Sequence, residues 1–109
     1  MKVVPLDALC DELLASARAE PGGRAARTVH GDCSLSMRQM VVALIAGREA
    51  DYGGSGKATV QILRGRVRID DHGTTTELSA GDLADVPTRS HRVTSLDDSV
   101  VLMSVDLRS

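Results

Sequence analysis

Beyond residue 23 the chain is punctuated by turn-forming residues at intervals that suit strands better than helices. The breaks are Gly31-Asp32, Gly53-Gly54-Ser55-Gly56, Arg64-Gly65, Asp71-His72-Gly73, Ala80-Gly81-Asp82 and Asp97-Asp98. Between them lie β-rich runs over residues 24–30, 35–46, 57–63, 66–70, 74–78, 83–86, 91–95 and 99–107. About eight short strands with no helix among them predict an all-β antiparallel sandwich or barrel. Alternation supports strands with one wet face. Val67 and Ile69 are interleaved with Arg66, Arg68 and Asp70, and Val60 and Ile62 with Thr59 and Gln61.

The one good helical period comes first. Leu6, Leu9, Leu13, Leu14 and Ala17 share a face, Asp7 suits the positive end of the helix dipole, and Pro21-Gly22-Gly23 cannot continue the spiral. The spacing predicts a helix over 6–19, hence a helix and linker over 1–23 and a barrel over 24–109 in a single domain. Runs 35–46 and 99–107 are apolar on both parities, as in Met40-Val41-Val42-Ala43-Leu44-Ile45. Strands of that kind are covered on both faces, by the helix or by a second subunit, and a homodimer is expected.

Composition narrows the function. With no Phe, no Trp and one Tyr among 109 residues, the core is aliphatic and bases have no rings to stack on. Thirteen Lys and Arg interspersed with 15 Asp and Glu give a net charge of −2, which offers no steering field for nucleic acid or an anionic membrane. The uncharged apolar stretch 40–46 is too short to span a bilayer. Asp7, Asp11 and Glu12 interrupt the N-terminal apolar residues, unlike a secretory signal, so the expected location is the cytoplasm. There Cys10 and Cys33, with no CxxC, read as small buried hydrophobes; Cys33, beside Ser34, has no assigned base.

The segment Gly81-Asp82-Leu83-Ala84-Asp85-Val86-Pro87-Thr88-Arg89-Ser90-His91-Arg92-Val93, with the strand and turn 58–67 before it, resembles the small single-domain cupins. Cupins carry a first motif of two His, one Glu and a closing Gly, and a second running Gly, Asp, Pro and His. The resemblance covers about half the chain and implies a jelly-roll β-barrel with one N-terminal helix. The departures fall on the metal ligands. Counting back from Gly65 puts the family's Glu on Ala58 and its two His on Tyr52 and Gly54; counting forward from Gly47 puts the first His on Gly53. In the second motif, Arg89 stands where Gly is usual and His91 lies one place early.

A first-row metal in such a barrel needs about three protein side chains and an open position. His91 alone is insufficient, and Asp51, Glu49, His30 and Gln61 do not rebuild two His and a carboxylate. His30 reads as a surface or capping residue and His72 as a solvated turn residue. Tyr52, the sole aromatic, either fills the lost metal's place or anchors the glycine-rich loop. Residues 53–56 lack the rest of a phosphate-binding GxxxxGK[ST] loop.

The expectation is therefore a degenerate metal site with no cofactor, in a barrel that binds a small molecule or serves structurally without catalysis. Its candidate pocket comprises Tyr52, Ala58, Val60, Gln61 and His91. The alternatives are a metal-dependent enzyme of dioxygenase or isomerase type, holding Zn, Fe, Mn or Ni through His91 and atypical ligands, and a stand-alone sensory domain of a regulator. With no helix-turn-helix legible, the last would need a partner chain for DNA contact.

Overall fold

The computed structural model describes residues 1–31, 37–52, 57–86 and 91–106, with Tyr52 described by its backbone alone. Among the described residues one helix, α1 (Leu6–Ala19), precedes nine strands: β1 (Arg24–His30), β2 (Met37–Leu44), β3 (Glu49–Tyr52), β4 (Ala58–Arg64), β5 (Arg66–Asp71), β6 (Thr74–Ser79), β7 (Leu83–Val86), β8 (His91–Ser95) and β9 (Ser99–Asp106). They form two antiparallel sheets, in the orders β1-β2-β9-β4-β7 and β3-β8-β5-β6. The expected jelly roll with an N-terminal helix is the observed architecture.

Two apolar cores result from the alternation of strands β2 and β9. Their inward parity, Val42, Val101 and Met103, packs between the sheets with Val60 and Ile62 of β4, Val67 and Ile69 of β5 and Val93 of β8. Their outward parity, Val41, Ala43 and Val100, packs beneath Leu9, Cys10, Leu13, Leu14 and Ala17 of α1. The helix is thus the cover that the two-sided strands require, and those strands do not by themselves call for a second subunit. Cys10 is buried in this seam, and burial above all pushes its thiol pKa up, which keeps it protonated and inert. Cys33 lies outside the described residues.

Of the run expected over 35–46, residues 35 and 36 lie outside the described residues, 37–44 form β2 and 45–46 are not strand; β3 was not anticipated. Glu-Ala-Asp-Tyr has weak strand propensity. It is a strand because it pairs with β8, where Arg92 Nε lies 3.1 Å from Asp51 Oδ1 and 3.5 Å from Glu49 Oε2.

The connections 45–48, 65, 80–82 and 96–98 lie at one end of the barrel, which buried serines close. Ser95 Oγ donates to Leu44 O at 2.9 Å, and Ser99 Oγ lies 2.9 Å from Arg66 O and 2.7 Å from Asp97 O. Asp98 joins this end to the helix. It accepts from the Ala46 N–H at 2.9 Å and from Arg18 Nη2 at 3.1 Å. The backbone donor first, then Arg18, holds its carboxyl below the ordinary range. A depressed folded pKa contributes stability that is present above the unfolded value of about 3.9 and lost as pH falls through the folded one. Asp98→Asn is expected to lower stability near pH 7, with the gap to wild type narrowing at an acidic pH well below the ordinary carboxylate value of about 3.9, where Asp98 protonates. Urea titrations at the two pH values check this, and an equal gap at both would refute it.

Candidate functional site

At the opposite end β3 finishes, β8 begins and β4 begins, so the two segments that resemble cupin motifs meet there. Tyr52 lies directly opposite His91 in the β3–β8 ladder, which puts the two positions on one face of the sheet. The Tyr52 ring and Gly54 lie outside what is described. His91 is 7% exposed, with Arg92 turned outward beside it and Val93 turned in. It thus occupies the inward parity, although one place early in the motif.

His91 borders an enclosed cavity along the barrel interior, with Val42, Val60, Ile69, Val93 and Met103. Leu44 and Ser99 mark its far, closed end. The space leaves about 20 Å³ for the centre of a water-sized molecule. Roughly 10–15 Å³ suffices for one water, so the interior is close-packed apart from one small void. Ser99 is bonded to the backbone as described above. Among the described residues on this wall, His91 is the only one with a titratable side chain.

The remaining sequence candidates are distributed differently. Val60 lines the cavity, and Ala58 is half-buried against the same core, nearer the open end. Gln61 does not belong to the pocket. It is exposed, because it falls on the opposite parity to Val60 and Ile62. Asp51 and Glu49 are exposed and engaged with Arg92 on the outer face, and Asp51 and Arg92 share a shallow surface with Asp70, His72 and His91. His30 is exposed at the end of β1. His72 is exposed in the β5–β6 turn with φ 46°, a left-handed conformation that histidine tolerates better than most residues.

Ile69, Val93, Val101 and Met103 were missed as pocket residues. The signal was present in the sequence: the period-two reading that selects Val60 selects these residues once the strands are known to face one another.

A metal of the kind the fold family implies does not fit the described donors. Among the described residues no three His, Cys, Asp or Glu side chains converge on one point, and on its inner side His91 faces mainly aliphatic and thioether groups. Hard or borderline divalent ions need imidazole, carboxylate or thiolate in that number. Among the described residues no helix is long and apolar enough to cross a membrane.

No protein-family model matches the sequence, and no curated protein does. Solved structures do match. An RmlC-like cupin protein from Desulfovibrio desulfuricans superposes with a TM-score of 0.67 at 18% identity, over 77% of this chain and 82% of that one. Salicylate 1,2-dioxygenase from Pseudaminobacter salicylatoxidans gives 0.75 at 22% identity, over 91% of this chain but 33% of its own. The cupin domain of a XRE-family transcriptional regulator from Enterobacter cloacae gives 0.67 at 11% identity, over 76% of this chain and 95% of that domain. At these identities the likeness is one of fold. The chain is a small domain of the cupin fold.

Proposed function

We propose that this domain binds a small molecule without a metal and without catalysis, at the barrel end marked by His91. One observation carries the reading: among the described residues a single imidazole lines a largely aliphatic barrel interior and no three donor side chains converge, where metal chemistry needs about three. Fold persists when a site is lost, so the cupin architecture does not by itself bring an activity. A lone buried imidazole with an apolar wall suits recognition, one polar contact fixing orientation while the wall supplies affinity.

Elemental analysis of the purified protein is expected to find Zn, Fe, Mn and Ni far below one per chain, and EDTA is expected to leave the melting temperature unchanged. Near-stoichiometric metal that His91→Ala removes would overturn the reading in favour of a metal-dependent enzyme with atypical ligands.

A second reading is a sensory domain, favoured by the near-complete coverage of the regulator's cupin domain. It uses the same binding site. It differs in requiring a partner chain that carries the DNA-binding element.

A further inference from the structure

We propose that the outer edge of β1 docks a second copy of this chain, the two β1 strands pairing antiparallel about a two-fold axis at Ala26 and joining their five-stranded sheets into one. Strand β1 ends its sheet, and among the described residues no strand pairs with its outer side. The Ile45 N–H donates to Gly23 O at 3.0 Å, directly across the β1–β2 ladder, and bonded and non-bonded pairs alternate from there. Ala25 and Arg27 therefore turn their backbone groups to β2, while the N–H and C=O of Arg24, Ala26 and Thr28 point to the open edge. This window is closed at both ends. The turn at Pro21-Gly22-Gly23 precedes it, and beyond Thr28 the register breaks and Lys2 Nζ donates to Val29 O at 3.2 Å.

A window whose free groups sit at its first, middle and last residues is its own antiparallel complement. Ala26 falls opposite the partner's Ala26 and Arg24 opposite the partner's Thr28, and each pair so formed exchanges two backbone hydrogen bonds. Charge agrees with this register. Arg27 falls opposite the partner's Ala25, and it arrives neutralised by Glu12 of α1, with 2.6 Å between Nη2 and Oε1. The inward parity, Arg24, Ala26 and Thr28, is exposed because the facing sheet is one strand narrower, so nothing of this chain stands in the way. The other edges do not offer the same match. Strands β3 and β7 have four residues each, too short for a stable ladder. On β6 the Ser79 N–H is taken by Asp82 Oδ2 at 2.8 Å, and a symmetric pairing at Glu77 would set two carboxylates directly opposite each other.

Light scattering of the full chain is expected to give twice the chain mass. A monomer across the micromolar range would overturn the proposal and leave the edge to an extended segment of another protein. Ala26→Pro removes only an N–H that the β1–β2 ladder does not use, so it should give a folded monomer. Oxidative cross-linking in a Cys33→Ser background reads the register even if that variant does not fold. Ala26→Cys should link two chains, because residues directly opposite in a bonded pair have Cα atoms about 5.5 Å apart, within the span of a disulfide. Thr28→Cys should not link to its own copy, whose Cα would lie about 13 Å along the strands, whereas mixed Arg24→Cys and Thr28→Cys chains should link to each other. A dimer that survives Ala26→Pro, or cross-linking through Thr28→Cys alone but not through Ala26→Cys, would put the interface elsewhere and overturn the proposal.

Discussion

Gly65→Ala is expected to cost this domain about 3 kcal/mol or more, a large share of the roughly 5–15 kcal/mol that holds a domain of this size together. Gly65 makes the turn between β4 and β5 with φ 80°, a region where a Cβ costs about 1–2 kcal/mol through its clash with the backbone. That cost alone is modest. The larger part comes from the closed end of the barrel, where a Cβ on Gly65 would meet Asp98 O and Ser99 Oγ and lie 2.9 Å from Ser99 Cα. Neither backbone group can yield, because Ser99 starts β9 and its hydroxyl is held by Arg66 O and Asp97 O. Overpacking of this kind adds about 1–3 kcal/mol.

Gly73 supplies the control. Its φ is 94°, yet an added Cβ would meet nothing within 4 Å. Gly73→Ala should therefore show the backbone cost alone, about 1–2 kcal/mol. Denaturant titrations of the two variants side by side check the argument. Equal losses would mean that the closed end relaxes around the new methyl group.

Much of the fold was legible because local signals and tertiary demands agree. The leucine spacing and the Pro21-Gly22-Gly23 stop place α1 at residues 6–19, and the observed helix has those bounds. Strands β1, β7 and β8 likewise have the bounds that the turn residues imply. Strand β3 was illegible for the converse reason. Glu49-Ala50-Asp51 carries no local strand preference, and its conformation comes from β8 and from Arg92, which lies 41 residues beyond Asp51.

The site was legible in part. His91 and Tyr52 could be brought together by motif resemblance, and the β3–β8 register does set their positions opposite each other. Gln61 was placed inside although alternation with Val60 turns it out, as Arg92 is turned out beside His91. The cavity could not be read at all. Its volume is the small difference between what two sheets enclose and what their side chains fill, and that difference depends on all the facing strands at once.

The double variant Tyr52→His with Ala58→Glu is expected to bind Zn²⁺ or Ni²⁺ more tightly than the wild-type barrel does. Position 52 lies opposite His91 in the ladder, and position 58 lies on the inward parity of β4, two residues from Val60 on the cavity wall. Two imidazoles and a carboxylate meet the donor number that a catalytic-type zinc site uses, leaving one position for water. Without metal the variant should be less stable than wild type, because Ala58 is half-buried against the apolar core and a carboxylate there is desolvated. With metal at a hundred times its dissociation constant the gain should be about 2.7 kcal/mol, read as a rise in melting temperature that EDTA reverses. Affinity should fall on acidification, since protons compete for both imidazoles and the carboxylate. A folded variant that binds neither ion would show that the count from Gly65 back to Ala58 does not locate the family's carboxylate. The pairing of Tyr52 with His91 would stand, because it follows from the β3–β8 register rather than from that count.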